Sequence, residues 1–171
     1  MISAIERRAQ EFGKAVHLMC QFHLEGRLDE DTLDDNLRGP LEALKKWREE
    51  KDIIEGIVDI KTRPFDPIKD PLQLAGYALL WRGFGKPSGA FIEKPMFSKR
   101  HKLSGTPDIL VAQEGATELK RRYVLELRQD GTYEYTNAHR PQDDTMFKSM
   151  LDNWHTNAAF QNKLNGWRRS V

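Results

Sequence analysis

Apolar residues three and four apart, from Ala9 and Phe12 through Val16 and Met19 to His23, predict a helix from about Ser3 to Leu24, stopped by Gly26. A second helical stripe follows: Leu33, Leu37, Leu41, Leu44 and Trp47, with Asp31-Thr32 as its caps. Pro40 falls inside that stripe and is expected to kink the helix or split it in two. The pattern then changes period, and Ile53 to Thr62 predicts a strand. Asp70 as N-cap with Pro71 at the first helical position predicts a helix to about Trp81. Gly83, Gly85, Pro87 and Gly89 mark a loop. Ala90–Phe97, Leu103–Ala112 and Arg122–Leu127 follow as strands, the last turning through Asp130-Gly131 into Thr132–Thr136 as a hairpin. A final helix is expected from Asp143 to about Leu164. Helices before, between and after strands predict an α/β fold, a mixed central β-sheet flanked by helices.

Bulk properties narrow the function classes. At 171 residues the chain suits one domain, 1–171, with a sizeable core. A formal charge of +1 excludes a molecule that attracts nucleic acid through its overall charge, so any DNA contact must come from local patches. Cys20 is the only cysteine, which excludes an intrachain disulfide and a zinc or iron–sulfur site built from the chain's own thiols. The first turns carry Glu6, Arg7, Arg8 and Glu11 and no apolar core segment, unlike a secretory signal. No run approaches the roughly 18 apolar residues of a membrane span. The expectation is a cytoplasmic protein with no membrane partner.

Candidate chemistry starts at Asp59-Ile60-Lys61, where a strand ends. Asp59 and Lys61 are two apart and share a face of that strand. The carboxylate can hold a divalent cation, and the lysine can contact a water or a phosphate. Two other acidic-x-Lys triplets, Glu49-Glu50-Lys51 and Glu118-Leu119-Lys120, fall on expected surface. Ser104-Gly105-Thr106-Pro107-Asp108 sets a second carboxylate at a strand edge behind a Gly/Pro turn. Gln73 and Tyr77 are one helical turn apart and share a face. Gly13 lies one turn before His17 and leaves space beside the imidazole.

Together Gly13…His17, Gly105-Thr106-Pro107-Asp108, Asp59-Ile60-Lys61 and Gln73…Tyr77 resemble the motifs of the PD-(D/E)XK nuclease superfamily, in its RecB-like and phage exonuclease branch. The resemblance covers most of the chain, to about Phe147. It implies a restriction-endonuclease-like core and a metal-dependent deoxyribonuclease, most simply a phage-type exonuclease of recombination or replication acting on DNA. It further implies Mg²⁺ or Mn²⁺ held by His17, Asp59, Asp108 and the Ile60 carbonyl. Lys61 would orient the water and support the transition state, with Asp59 and Asp108 as the other catalytic groups. Gln73 and Tyr77 would line the phosphate path. Glu93 is either an extra metal carboxylate or half of a strand-face ion pair. A structure-selective or restriction-type endonuclease, and a nucleic-acid-binding module without turnover, are the alternatives. A homo-oligomer or a recombination partner protein fits the same branch.

Basic residues Lys99, Arg100, His101 and Lys102 precede Asp108 closely and are candidate DNA contacts. Lys120-Arg121-Arg122 and Arg168-Arg169 are expected surface. Trp47, Trp81, Trp154 and Trp167 are expected mostly in the core, and His23, His139 and His155 have no ligand spacing. The motif order departs from that of the branch, in which G-T-P-D precedes D-x-K. Here Asp59 comes first, as though blocks 51–85 and 86–115 were exchanged by rearrangement or engineering of the gene or by natural permutation. The expectation that survives any of these origins is geometric: Asp59 and Asp108 converge in space.

Overall fold

The computed structural model describes residues 3–51 and 55–168. Helix α1 (Ala4–Leu24) begins at a capping box in which Ser3 and Glu6 satisfy each other's backbone N–H groups. A short 3₁₀ turn (Glu30–Thr32) precedes α2 (Asp35–Glu50). The Asp31-Thr32 segment forms that turn rather than capping α2, which begins after Asp34. Pro40 does not split α2: the helix runs through it as one element, with Leu37, Leu41, Leu44 and Trp47 buried. An interior proline costs about 3 kcal/mol. Burying four large side chains, at roughly 1.5–3 kcal/mol each, exceeds that.

Strand β1 (Gly56–Lys61) leads into α3 (Lys69–Gly83). Asp70 is not the N-cap of α3. The Asp66 carboxylate accepts from the N–H groups of Ile68 and Lys69, while Asp70 is fully buried and paired with Arg63. After α3 come β2 (Gly89–Ile92), β3 (Met96–Ser98), β4 (Leu103–Gly105), β5 (Ile109–Ala112), β6 (Arg122–Leu127) and β7 (Tyr133–Asn137). Helix α4 (Pro141–Arg168) follows, with proline at its first position. Each of the two long expected strands is therefore two short ones. Ala90–Phe97 is interrupted at Glu93-Lys94-Pro95, and Leu103–Ala112 at Thr106-Pro107-Asp108. Proline cannot donate to a ladder, so both runs leave the sheet where their prolines fall.

The main sheet has five strands in the order β2-β5-β1-β6-β7. β1 is parallel to β6, and the other neighbours are antiparallel. This is the mixed α/β fold expected from the alternation of helices and strands. β3 and β4 form a separate hairpin that packs on α3. On one face Val58, Ile60, Ile109, Leu125 and Leu127 pack against Val16, Met19 and Cys20 of α1 and the apolar stripe of α2. On the other, Ile57, Leu110 and Val124 pack against Leu74, Ala78 and Trp81 of α3, with α4 outside α3. No helix among the described residues is long and apolar enough to cross a membrane.

The chain is locally hydrogen-bonded at all three block junctions: Lys51 N–H to Trp47 O, Lys86 N–H to Trp81 O and Ala116 N–H to Gln113 O. Yet the spatial order of the strands is the order they would have if blocks 51–85 and 86–115 were exchanged. The β5–β6 connection consequently crosses the entrance to β1. Gly56, at φ 152°, sits under Arg121 there, and a Cβ would lie 2.6 Å from the Arg121 carbonyl oxygen. Only glycine allows that crossing.

Surface expectations hold in part. Trp47 and Trp81 are buried, but Trp154 is 63% exposed. Arg122 is not surface: it is buried, donating to the Leu119 carbonyl and pairing with both oxygens of Asp144. A buried guanidinium needs such a partner set, and β6 starts deep in the sheet. The side chains of Trp167, Arg168 and Arg169 and the start of the expected strand at Ile53 lie outside those described.

Candidate functional site

Strand register builds the site. Ile57 pairs with Leu110 and Val58 with Ile109, so one further step sets Asp59 opposite Asp108. Ile92 pairs with Ile109, and the next step sets Glu93 beside Asp108, with the Glu93 N–H donating to the Asp108 carbonyl at 2.9 Å. Three carboxylates from three neighbouring strands therefore form one row, Glu93–Asp108–Asp59. Like charges opposite one another in a sheet are destabilising. Glu93 follows the end of β2 and Asp108 precedes β5, while Asp59 lies within β1 just beyond its pairing with β5. Glu93 adopts φ 45°, a left-handed conformation rare for a long side chain, which turns it out of the ladder.

α1 supplies the basic partner. His17 Nδ1 lies 3.2 Å from Glu93 Oε1 and 3.3 Å from Asp108 Oδ1. The other Asp108 oxygen accepts the Ile60 N–H, which fixes the carboxylate against β1. His17, Glu93 and Asp108 can each offer a ligand atom within 4.8 Å of the others. Asp59 stands beside this group. Its Oδ2 is 2.8 Å from Lys61 Nζ, and its Oδ1 accepts from Gln73 Nε2 at 3.3 Å. Gln73 also accepts from Lys61 at 3.1 Å and donates to the Tyr77 hydroxyl at 2.9 Å. The row thus continues from Asp59 through Lys61 and Gln73 to Tyr77.

Charge is poorly compensated here. Burial raises the Asp59 carboxyl to about 7, and the neighbouring Asp108 adds to the rise, against the opposing pull of Lys61. Burial opposes the charge on His17, but hydrogen bonds and attraction from Asp108 and Glu93 outweigh it and raise the imidazole to about 10. Near neutral pH, then, the His17 proton occupies the space between two carboxylates. Beneath the site Cys20 is buried, and burial with the field of Asp108 and Glu93 pushes its thiol up, so it is not a nucleophile. Burial holds the Tyr77 phenol up at about 12, so it stays protonated.

A divalent cation fits this set. Ligand atoms of His17, Glu93 and Asp108 already lie close enough to share one ion, and Asp59, ion-paired with Lys61 at 2.8 Å, flanks them. Carboxylate oxygens with one imidazole are the donors that Mg²⁺ and Mn²⁺ accept. Two oxygens from the row with His17 would hold the ion, and Glu93 belongs to that group rather than to a strand-face pair with a lysine. The signal for Glu93 in the sequence was Lys94-Pro95, which forbids the strand from continuing.

The remaining expected residues separate from this centre. Lys99, Arg100 and Lys102 are exposed on the turn of the β3–β4 hairpin, and His101 is half-buried there. His155 of α4 lies 3.0 Å from the His101 carbonyl and ties the turn to α4. Gly13 does not face a vacancy beside His17: a Cβ there would make ordinary contact with Thr62 Oγ1 at 3.6 Å. Gly105 instead packs close, since a Cβ would lie 3.1 Å from the Tyr77 ring. Comparison of the chain with protein-family models, curated proteins and solved structures finds no match, so the functional reading rests on the arrangement of these side chains.

Proposed function

We propose that the protein is a metal-dependent nuclease that hydrolyses phosphodiester bonds in DNA, acting from an end as a phage-type exonuclease does. The observation that carries this reading is the carboxylate row. Residues almost fifty positions apart, in an order opposite to that of the resembling branch, still meet with a histidine on one side and a lysine on the other. A salt-bridge network built for stability alone would not set three acids side by side against one half-buried lysine and one imidazole.

The chemistry follows from charge. A bound Mg²⁺ or Mn²⁺ would supply positive charge to the phosphoryl oxygen and lower the pKa of a water molecule. Asp108, fixed by the Ile60 N–H, and Asp59 provide anionic oxygens in fixed positions. His17 serves as a ligand only after losing its proton. Lys61 keeps its ammonium at the edge of the row, held by Asp59 and Gln73, where it can meet the attacking water or the developing negative charge. Gln73 and the protonated Tyr77 offer hydrogen bonds to phosphate oxygens. The exposed Lys99, Arg100 and Lys102 supply a local basic patch on a near-neutral molecule.

Labelled linear and circular DNA incubated with Mg²⁺ or Mn²⁺ tests the proposal. Wild type is expected to degrade linear DNA and spare circles. Lys61→Ala is expected to lose at least ~10²-fold in rate, the scale of one positioned acid–base or charge-stabilising group. Cleavage of circles would make the protein an endonuclease, cleavage without added metal would contradict the metal requirement, and no cleavage at all would leave a binding module.

A further inference from the structure

Beside Gln73 and Tyr77 lies a cavity of about 160 Å³ that the hydrolytic chemistry does not use. Its walls are almost wholly apolar: Tyr77 and Leu80 from α3, Leu103 from β4 and Phe147 from α4, with Gly76 as its floor. The Phe147 ring lies so close to Gly76 that a Cβ there would be 2.7 Å from the ring. At the mouth, Ser104 pairs with Phe97 across the hairpin, so the two share a face, and Phe97 is 54% exposed. The basic turn Lys99–Lys102 adjoins the same hairpin.

We propose that this cavity holds one unpaired nucleobase next to the scissile phosphate, making the substrate an unpaired strand or a frayed end. The inference rests on reading the adjoining row as a phosphodiester site. Size favours one ring system, because drug-sized ligands occupy about 300–1,000 Å³. Aromatic walls suit a base, since every base has a π-face that stacks without sequence preference. Position favours a nucleotide of the same strand, because Tyr77 is one helical turn beyond Gln73, ~5.4 Å along α3, and Gln73 itself lines the cavity. A paired base cannot enter such a cavity without leaving its stack. Backbone phosphates on either side would meet the lysines of the turn and the polar end of the cavity at Gln73.

The test isolates the base from the backbone charge. A fluorescent oligothymidylate and a fully abasic strand of the same length are titrated with the protein in Ca²⁺, which avoids turnover. Wild type is expected to bind the thymidylate roughly 5- to 150-fold more tightly, the range that stacking of one base provides. Phe147→Ala is expected to bring that ratio close to one while leaving the abasic affinity unchanged. Phe147→Leu keeps apolar packing on Gly76 but removes the aromatic face. It is expected to lower the ratio too, and it decides the matter if the alanine variant fails to fold. A ratio near one in wild type, or variants that weaken both strands equally, would overturn the proposal. Failure of the nuclease reading looks different: the ratio and its loss in the variants would persist, with no hydrolysis of either strand in Mn²⁺.

Discussion

Asp59 shows what a site costs the residue that carries it. Its carboxyl is 1% exposed, and its pKa lies above the ordinary 3.8 because burial and Asp108 disfavour the charge more than Lys61 favours it. The folded chain therefore binds this proton more tightly than the unfolded chain does. Stability from this group falls as pH rises from about 4 to about 7, and the full penalty remains above 7. His17 acts in the same direction over a later window. Its raised pKa contributes stability that is complete below 6.5 and is lost as pH rises through about 10. Asp59→Asn in metal-free protein is accordingly expected to stabilise by ~1–2 kcal/mol at pH 8. At pH 4 it should be close to neutral. Thermal melts at the two pH values check this, and nuclease activity should be lost in the same variant. A variant less stable than wild type at pH 8 would mean that the Lys61 pair, not burial, sets the energy of Asp59.

At the scale of elements, the strongly periodic segments were legible from sequence. α1, the apolar face of α2, the β6–β7 hairpin and α3 are where the period and turn residues put them. What was not legible came from tertiary contacts. Packing carried α2 through Pro40, and the same burial drew Arg122 inside to meet Asp144. The two interrupted runs look like long strands in sequence because their apolar residues outweigh Pro95 and Pro107. Those interruptions deliver Glu93 and Asp108 to the row. The convergence of Asp59, Lys61, Gln73 and Asp108 was legible because the residues keep their spacing within each segment. The role of Glu93 depends on a backbone turn that spacing does not encode. Connectivity carries its own prediction. The connections cross at Gly56 in the natural order and would not cross if residues 86–115 preceded residues 51–85, where β5 would lead into its antiparallel neighbour β1. A chain with the two blocks exchanged is expected to fold to the same sheet with a melting temperature at least equal to that of the original. Circular dichroism with thermal melting checks it, and an unfolded product would contradict the topology.

For the whole molecule, the sheet acts as a frame that brings acids from three strands to one end, with α1 delivering His17 from one face and α3 delivering Gln73 and Tyr77 from the other. Net charge of +1 gives little general attraction for DNA, so under the proposed function recognition would fall to the hairpin turn and to the cation that the row would hold. The proposed function stands on that cation, because without it three carboxylates repel both one another and a phosphodiester. Titration calorimetry of Mn²⁺ into the protein, run near pH 7 in two buffers of different ionisation heat, tests it most directly. Saturable binding accompanied by proton release is expected, because His17 must give up its proton to become a ligand. Binding is also expected to be abolished or weakened at least ~10-fold in Asp108→Asn. Absence of saturable binding in wild type, or equal binding by Asp108→Asn, would contradict the proposed cation site.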